Sequence, residues 1–142
     1  MQRKRALVKE AEKHHILIPD ELKYGVVRGV YEFYACKESG NKHCFYVGRA
    51  VDISRRIYDH ITNPEGLVFQ KIQQYQEEGS TIIIEIKKVD YELDNYYRDM
   101  QRLAYAEYER IETHQKNGEC LYQLPEGNWI SKDKWEKFKK KG

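Results

Sequence analysis

The sequence has few cysteines, little net charge and no long apolar run, and each shortage excludes a class of protein. Cys36, Cys44 and Cys120 make an odd number without any Cys-x-x-Cys spacing. That points to reduced, structural thiols rather than a disulfide framework or a zinc knuckle. Apolar runs such as Thr81-Ile82-Ile83-Ile84 fall far short of the roughly 20 residues that a membrane-spanning helix needs. Met1-Gln2-Arg3-Lys4-Arg5 leads into no apolar signal core, so an intracellular, cytoplasmic protein is expected. No Walker-type glycine loop, Ser-His-Asp order or zinc spacing marks another enzyme class. A net charge of +2 does not announce a nucleic-acid binder, because phosphate binding depends on a local positive field more than on the total.

What is present is the composition of one folded domain. With 40% hydrophobic and 34% charged residues and no biased tract, a chain of 142 residues can bury a real core. Basic residues gather at Arg3-Lys4-Arg5, around Arg49, Arg55 and Arg56, and in a tail from Lys132 to Lys141. We read residues 1–24 as a helical extension, 25–116 as a core, and 117–142 as a loop followed by a lysine-rich helix. In that last helix Ser131 is the cap, and Trp135 and Phe138 face inward.

Residues 3–15 carry Leu7, Val8 and Ala11 on one side of a helix that ends at the extended segment Ile16-Leu17-Ile18-Pro19. The β-type runs at 25–34 and 43–47, separated by Ser39-Gly40-Asn41, predict a hairpin. Asp52 is placed to cap a helix carrying Ile53, Ile57 and Ile61 that stops near Asn63-Pro64. A second helix runs through Leu67, Ile72 and Tyr75 to Gly79. Residues 80–89, rich in β-branched side chains, read as a central strand. A long helix then runs from Asp94 to about Gln115, stopped by Asn117-Gly118.

Three features carry chemistry. On the long helix, Met100, Leu103, Ala104, Glu107 and Ile111 share one stripe, which puts a carboxylate in the middle of an apolar face. Such a group needs a cation, either a metal or a structural salt-bridge partner. On the helix after Asp52, Arg56 and His60 lie four residues apart on one side while Arg55 faces away. A guanidinium fork there suits a phosphate, and ordinary surface solubility is the competing explanation. In the hairpin, Gly29-Val30-Tyr31 and Tyr46-Val47-Gly48 set a tyrosine near a glycine on each strand.

Taken together, over residues 25–116, these segments resemble the GIY-YIG nuclease family. Gly29-Val30-Tyr31, Tyr46-Val47-Gly48-Arg49-Ala50, Asp52-Ile53-Ser54-Arg55-Arg56-Ile57 with His60, and Glu107 through Ile111 carry the resemblance. It implies an α+β fold, a small three-stranded antiparallel sheet flanked by helices, with N- and C-terminal helical extensions. It also implies a metal-dependent DNA endonuclease of restriction, phage, mobile-element or repair type. By the resemblance Glu107 would ligate one Mg2+ or Mn2+, Arg56 would stabilise transition-state charge, and Tyr31 and Tyr46 would orient water and phosphate. Gly48, Arg49 and Arg55 would contact DNA, and a homodimer would serve double-strand cleavage. Tyr31 and His60 both remain open as the proton acceptor.

Two departures stand out. Arg49 occupies a position where lysine is common in the family, and Glu119 stands where many members have an asparagine. Asn117 or Asn128 would have to substitute for it. The alternative function is a catalytically inactive nucleic-acid-binding module of the same fold.

Overall fold

The computed structural model describes residues 2–91 and 95–120, with the side chains of residues 2–5 left aside. Nine elements follow in order: α1 (Gln2–Lys13), β1 (Ile16–Leu17), α2 (Glu21–Tyr24), β2 (Gly29–Cys36), β3 (Lys42–Ala50), α3 (Ile53–Thr62), α4 (Leu67–Glu77), β4 (Thr81–Lys88) and α5 (Tyr96–Lys116). The tail helix expected after Ser131 lies outside the described residues.

The α+β class holds, but the expected three-stranded antiparallel sheet is corrected to a four-stranded mixed one, ordered β1-β4-β2-β3. The fourth strand comes from Ile16-Leu17, which pairs in parallel with Ile82 and Ile83. An extended stretch halted by proline leaves its backbone groups open to pairing, and β4 offers the matching edge. β4 has neighbours on both sides only along those two residues. The strand paired over its whole length on both sides is β2, antiparallel to β3 and to β4.

The hairpin turns at Lys37–Asn41, where the Lys37 N–H donates to the Asn41 carbonyl at 2.9 Å and Gly40 takes a left-handed φ of 92°. Between Phe33 and Tyr34 the register slips, so that Phe33 faces Tyr46 while Tyr34 faces Cys44 and Phe45 is the extra residue. Asp52 caps α3 as expected, its carboxylate accepting from the Arg55 N–H. For α5 the cap is Asn95, one residue beyond the expected Asp94, accepting from the Arg98 N–H at 3.1 Å.

Alternation along β2 explains the two layers. Tyr31, Phe33 and Ala35 join Leu7 and Ala11 of α1, Ile53, Ile57 and Ile61 of α3, and Val68 and Ile72 of α4 in one buried cluster. Val30 and Tyr34 turn to the other side, where Cys44, Val47, Ile111 and Cys120 make a second cluster beneath α5. A central strand covered on both faces reads as a nearly unbroken buried run, and only Cys36 of β2 is partly exposed. The N-terminal extension is packed into the first cluster, since Leu7 is fully buried. No helix among the described residues is long and apolar enough to cross a membrane.

Candidate functional site

β3 is an edge strand, and a cleft of about 590 Å³ opens beside it. It is lined by Tyr31 from β2, Tyr46, Gly48 and Arg49 from β3, Arg55 and Arg56 from α3, and Glu107 from α5. Seven of the eight residues singled out from sequence thus meet at one place. The eighth, His60, stands directly behind, its Nε2 at 2.7 Å from the Tyr31 hydroxyl.

Each side chain arrives there for a local reason. Tyr31 lies opposite Gly48 across the β2–β3 ladder, so both point to the face covered by α3. A Cβ at Gly48 would come within 2.3 Å of the Tyr31 ring and 2.4 Å of its hydroxyl oxygen. The glycine is what allows the phenol to reach across the edge strand into the cleft. At Gly29 a Cβ would meet the Lys87 carbonyl oxygen at 2.1 Å, so that glycine serves the close pairing of β2 with β4.

Arg49 alternates to the opposite sheet face, where α5 presents Glu107. Their Nη1 and Oε1 atoms are 2.8 Å apart, and Glu107 is only 7% exposed. The cation demanded by a carboxylate on an apolar helix face is therefore supplied in part by the protein. Arg49, expected as a DNA contact, is engaged in this pair while also lining the cleft. Arg55, expected to face away from Arg56, lines the cleft with it, and both are exposed.

The electrostatics of the Tyr31–His60 pair follow from its position. Burial, together with the neighbouring Tyr46, pushes the Tyr31 phenol well above its ordinary range, against the opposing pull of Arg56. Burial and the Arg56 charge push His60 down to about 4, with Asp59 acting weakly the other way. At neutral pH the imidazole is uncharged and the phenol protonated, so the Tyr31 O–H donates to Nε2. Tyr46 packs on the same pair, its ring 5.2 Å from that of His60 and 6.3 Å from that of Tyr31.

A stability prediction arises here. The unfolded chain binds a proton at His60 near the ordinary pKa of about 6.5, whereas the fold resists it until about 4. The contribution is complete above the unfolded value and is lost as pH falls through this window. We expect the melting temperature of wild type to drop more steeply between these pH values than that of His60→Gln. Parallel slopes in thermal melts followed by circular dichroism would contradict the assignment.

A second constellation, behind the sheet, was not anticipated from sequence. The Glu32 carboxylate accepts from Arg110 Nε at 2.9 Å, Arg110 Nη2 at 3.1 Å and the Tyr34 hydroxyl at 3.0 Å, and it also pairs with His114 Nε2. His114 Nδ1 lies 3.0 Å from Glu119 Oε1, and Glu119 also accepts from the Cys44 N–H. Glu32, Cys44 and His114 are buried, with their ligand atoms within 4.8 Å of one another, and could hold a metal ion. Glu119, which stands where an asparagine was expected, belongs to this cluster and does not line the cleft. Asn117 is the C-cap of α5, and Asn128 lies outside the described residues. A signal for the cluster was present in the continuing helical spacing from Glu107 through Ile111 to His114.

No family model, curated protein or solved structure matches the chain.

Proposed function

We propose that the chain is a metal-dependent DNA endonuclease of the GIY-YIG type, hydrolysing phosphodiester bonds in the cleft beside β3. The observation that carries this reading is the convergence of Tyr31, Tyr46, Arg56 and Glu107 from four separate elements onto one cleft, with His60 bonded behind Tyr31. Structural salt bridges and packing tyrosines have no reason to meet at a shared opening. A phosphodiester site does, because it needs a fork for the phosphate, a proton acceptor and a carboxylate within one opening.

The donor chemistry fits a hard cation. Glu107 lines the cleft together with Asp52 and Asp59, and no thiol among the described residues does, so oxygen ligands completed by water and phosphate suit Mg2+ or Mn2+. Such an ion, when bound, polarises the phosphate and stabilises the leaving oxygen. Arg56 and Arg55 draw the backbone phosphate in by charge, and Arg56 holds the oxygens on which negative charge develops. Tyr31 takes a proton from the attacking water as it passes its own to His60 Nε2. Burial, and after it Arg56, depresses His60 in the free chain. Engagement of Arg56 by a phosphate anion offsets the second of these and leaves burial in place.

One observation favours a second reading, a silent nucleic-acid-binding module: Arg49 already meets Glu107 at 2.8 Å. Incubating the protein with supercoiled plasmid and Mg2+ or Mn2+ separates the two. We expect nicking by wild type, and losses of about 10²-fold or more in Arg56→Ala and Glu107→Ala, the scale of removing one preorganised charge-stabilising group. Equal activity in all three proteins overturns the proposal. Salt-dependent binding without any cutting transfers the assignment to the silent module.

A further inference from the structure

The cluster behind the sheet has the donor types and support of a structural transition-metal site: the ligand atoms of Glu32, Cys44 and His114 lie within 4.8 Å of one another, and Cys120 joins them through Cys44. Cys44 Sγ lies 3.9 Å from Glu32 Oε2 and 3.6 Å from Cys120 Sγ. Zinc–sulfur and zinc–nitrogen bonds of about 2.3 and 2.0 Å place ligand atoms around a tetrahedral ion about 3.3–3.8 Å apart, close to both separations. Cys120 holds a left-handed φ of 54°, uncommon for a residue with a side chain, with its thiol turned toward Cys44.

The surroundings are those that hold ligands in place. His114 Nε2 points at Glu32 while its Nδ1 is anchored by the Glu119 carboxylate, the arrangement that fixes a histidine's tautomer and orientation at a metal. Arg110 grips Glu32, leaving the carboxylate oriented toward Cys44 and His114. A divalent ion and Arg110 together offset three of the four negative charges of two thiolates, Glu32 and Glu119.

We propose that Glu32, Cys44, His114 and Cys120 bind one Zn2+-class ion that clips β2, β3 and the C-terminal end of α5 together. Binding releases the two thiol protons and the His114 Nε2 proton that faces Glu32 to solvent, and replaces the direct Glu32–His114 contact with bonds to the ion. Its benefit falls on α5. His114 lies two turns beyond Glu107 on the same helix face, so fixing one end of this stripe fixes the carboxylate at the cleft. The site is on the opposite sheet face from the Tyr31–His60 pair, and its test does not depend on any nuclease activity.

The full chain, reduced, stripped with chelator and titrated with Co2+, should develop thiolate-to-cobalt charge-transfer absorption and tetrahedral visible bands that saturate at one equivalent. Zn2+ should abolish them and raise the melting temperature. Cys44→Ser and His114→Gln should lose the bands, and if either fails to fold, Cys120→Ala serves for the comparison. Absence of the charge-transfer band in wild type overturns the site. So does a band of equal intensity in folded variants, which would place the ion elsewhere.

Discussion

Glu32→Ala is expected to lower the urea midpoint of the chelator-treated protein by the equivalent of about 3–5 kcal/mol, the cost of breaking a buried ion network by removing one partner. Glu32 is the hub, the single carboxylate shared by Arg110, His114 and the Tyr34 hydroxyl. Burial pushes this carboxyl up, but the hydrogen bonds from Arg110 and His114 more than offset it and hold the group below its ordinary value. Without it, His114, 6% exposed, loses the carboxylate at its Nε2, where the Arg110 Nη2 at 3.2 Å remains, and the Arg110 fork is left with no anion there. Arg110→Ala should cost distinctly less, because the Arg110 side chain is about a third exposed and Glu32 keeps His114 and Tyr34. Equilibrium unfolding of the two variants ranks them, and an Arg110→Ala loss equal to that of Glu32→Ala would show that Glu32 is not the centre of the network.

The second large effect belongs to Gly48→Ala. The new methyl would sit 2.3–2.8 Å from three atoms of a tyrosine that is fully buried and bonded to His60, so the ring has nowhere to retreat without breaking that bond. Overpacking of this kind costs about 1–3 kcal/mol, and this contact belongs at the upper end because the neighbour is a rigid ring. A double-mutant cycle isolates the clash: in a Tyr31→Leu background the same alanine should cost little, giving a coupling of about 1–3 kcal/mol for two residues in contact. Additive losses would mean that Gly48 matters for backbone freedom instead of for room. On the nuclease reading, Gly48→Ala should also abolish cleavage at temperatures where the protein is still folded, because the phenol can no longer point into the cleft.

The elements of this protein were largely legible in one dimension because their signals are local. Asp52 caps α3, the Lys37–Asn41 turn closes the hairpin, and α4 and β4 lie where hydrophobic spacing and β-branched residues place them. Glu107 was legible too, since helical periodicity alone sets it on an apolar stripe that must contain a cation partner. Which cation it met was not legible. Arg49 is 58 residues away, and only the pairing of β2 with β3 and the seating of α5 bring the two together. Likewise Gly48, as a strand glycine, signals a close approach in the sequence, but only the ladder sets the Tyr31 ring as the group that approaches.

The parallel strand at Ile16-Leu17 and the Glu32–Cys44–His114 cluster escaped for the same reason. Two residues are too short for a period-2 pattern, and helical spacing sets His114 on the Glu107 stripe without telling that Glu32 and Cys44 meet it there. The sequence by itself determined where helices and strands form and which faces are apolar, because caps, turns and side-chain periods act within a few residues. Only the tertiary structure decided which charges meet. Ion pairs, ligand sets and clefts depend on distances of a few ångströms between residues that the chain keeps far apart.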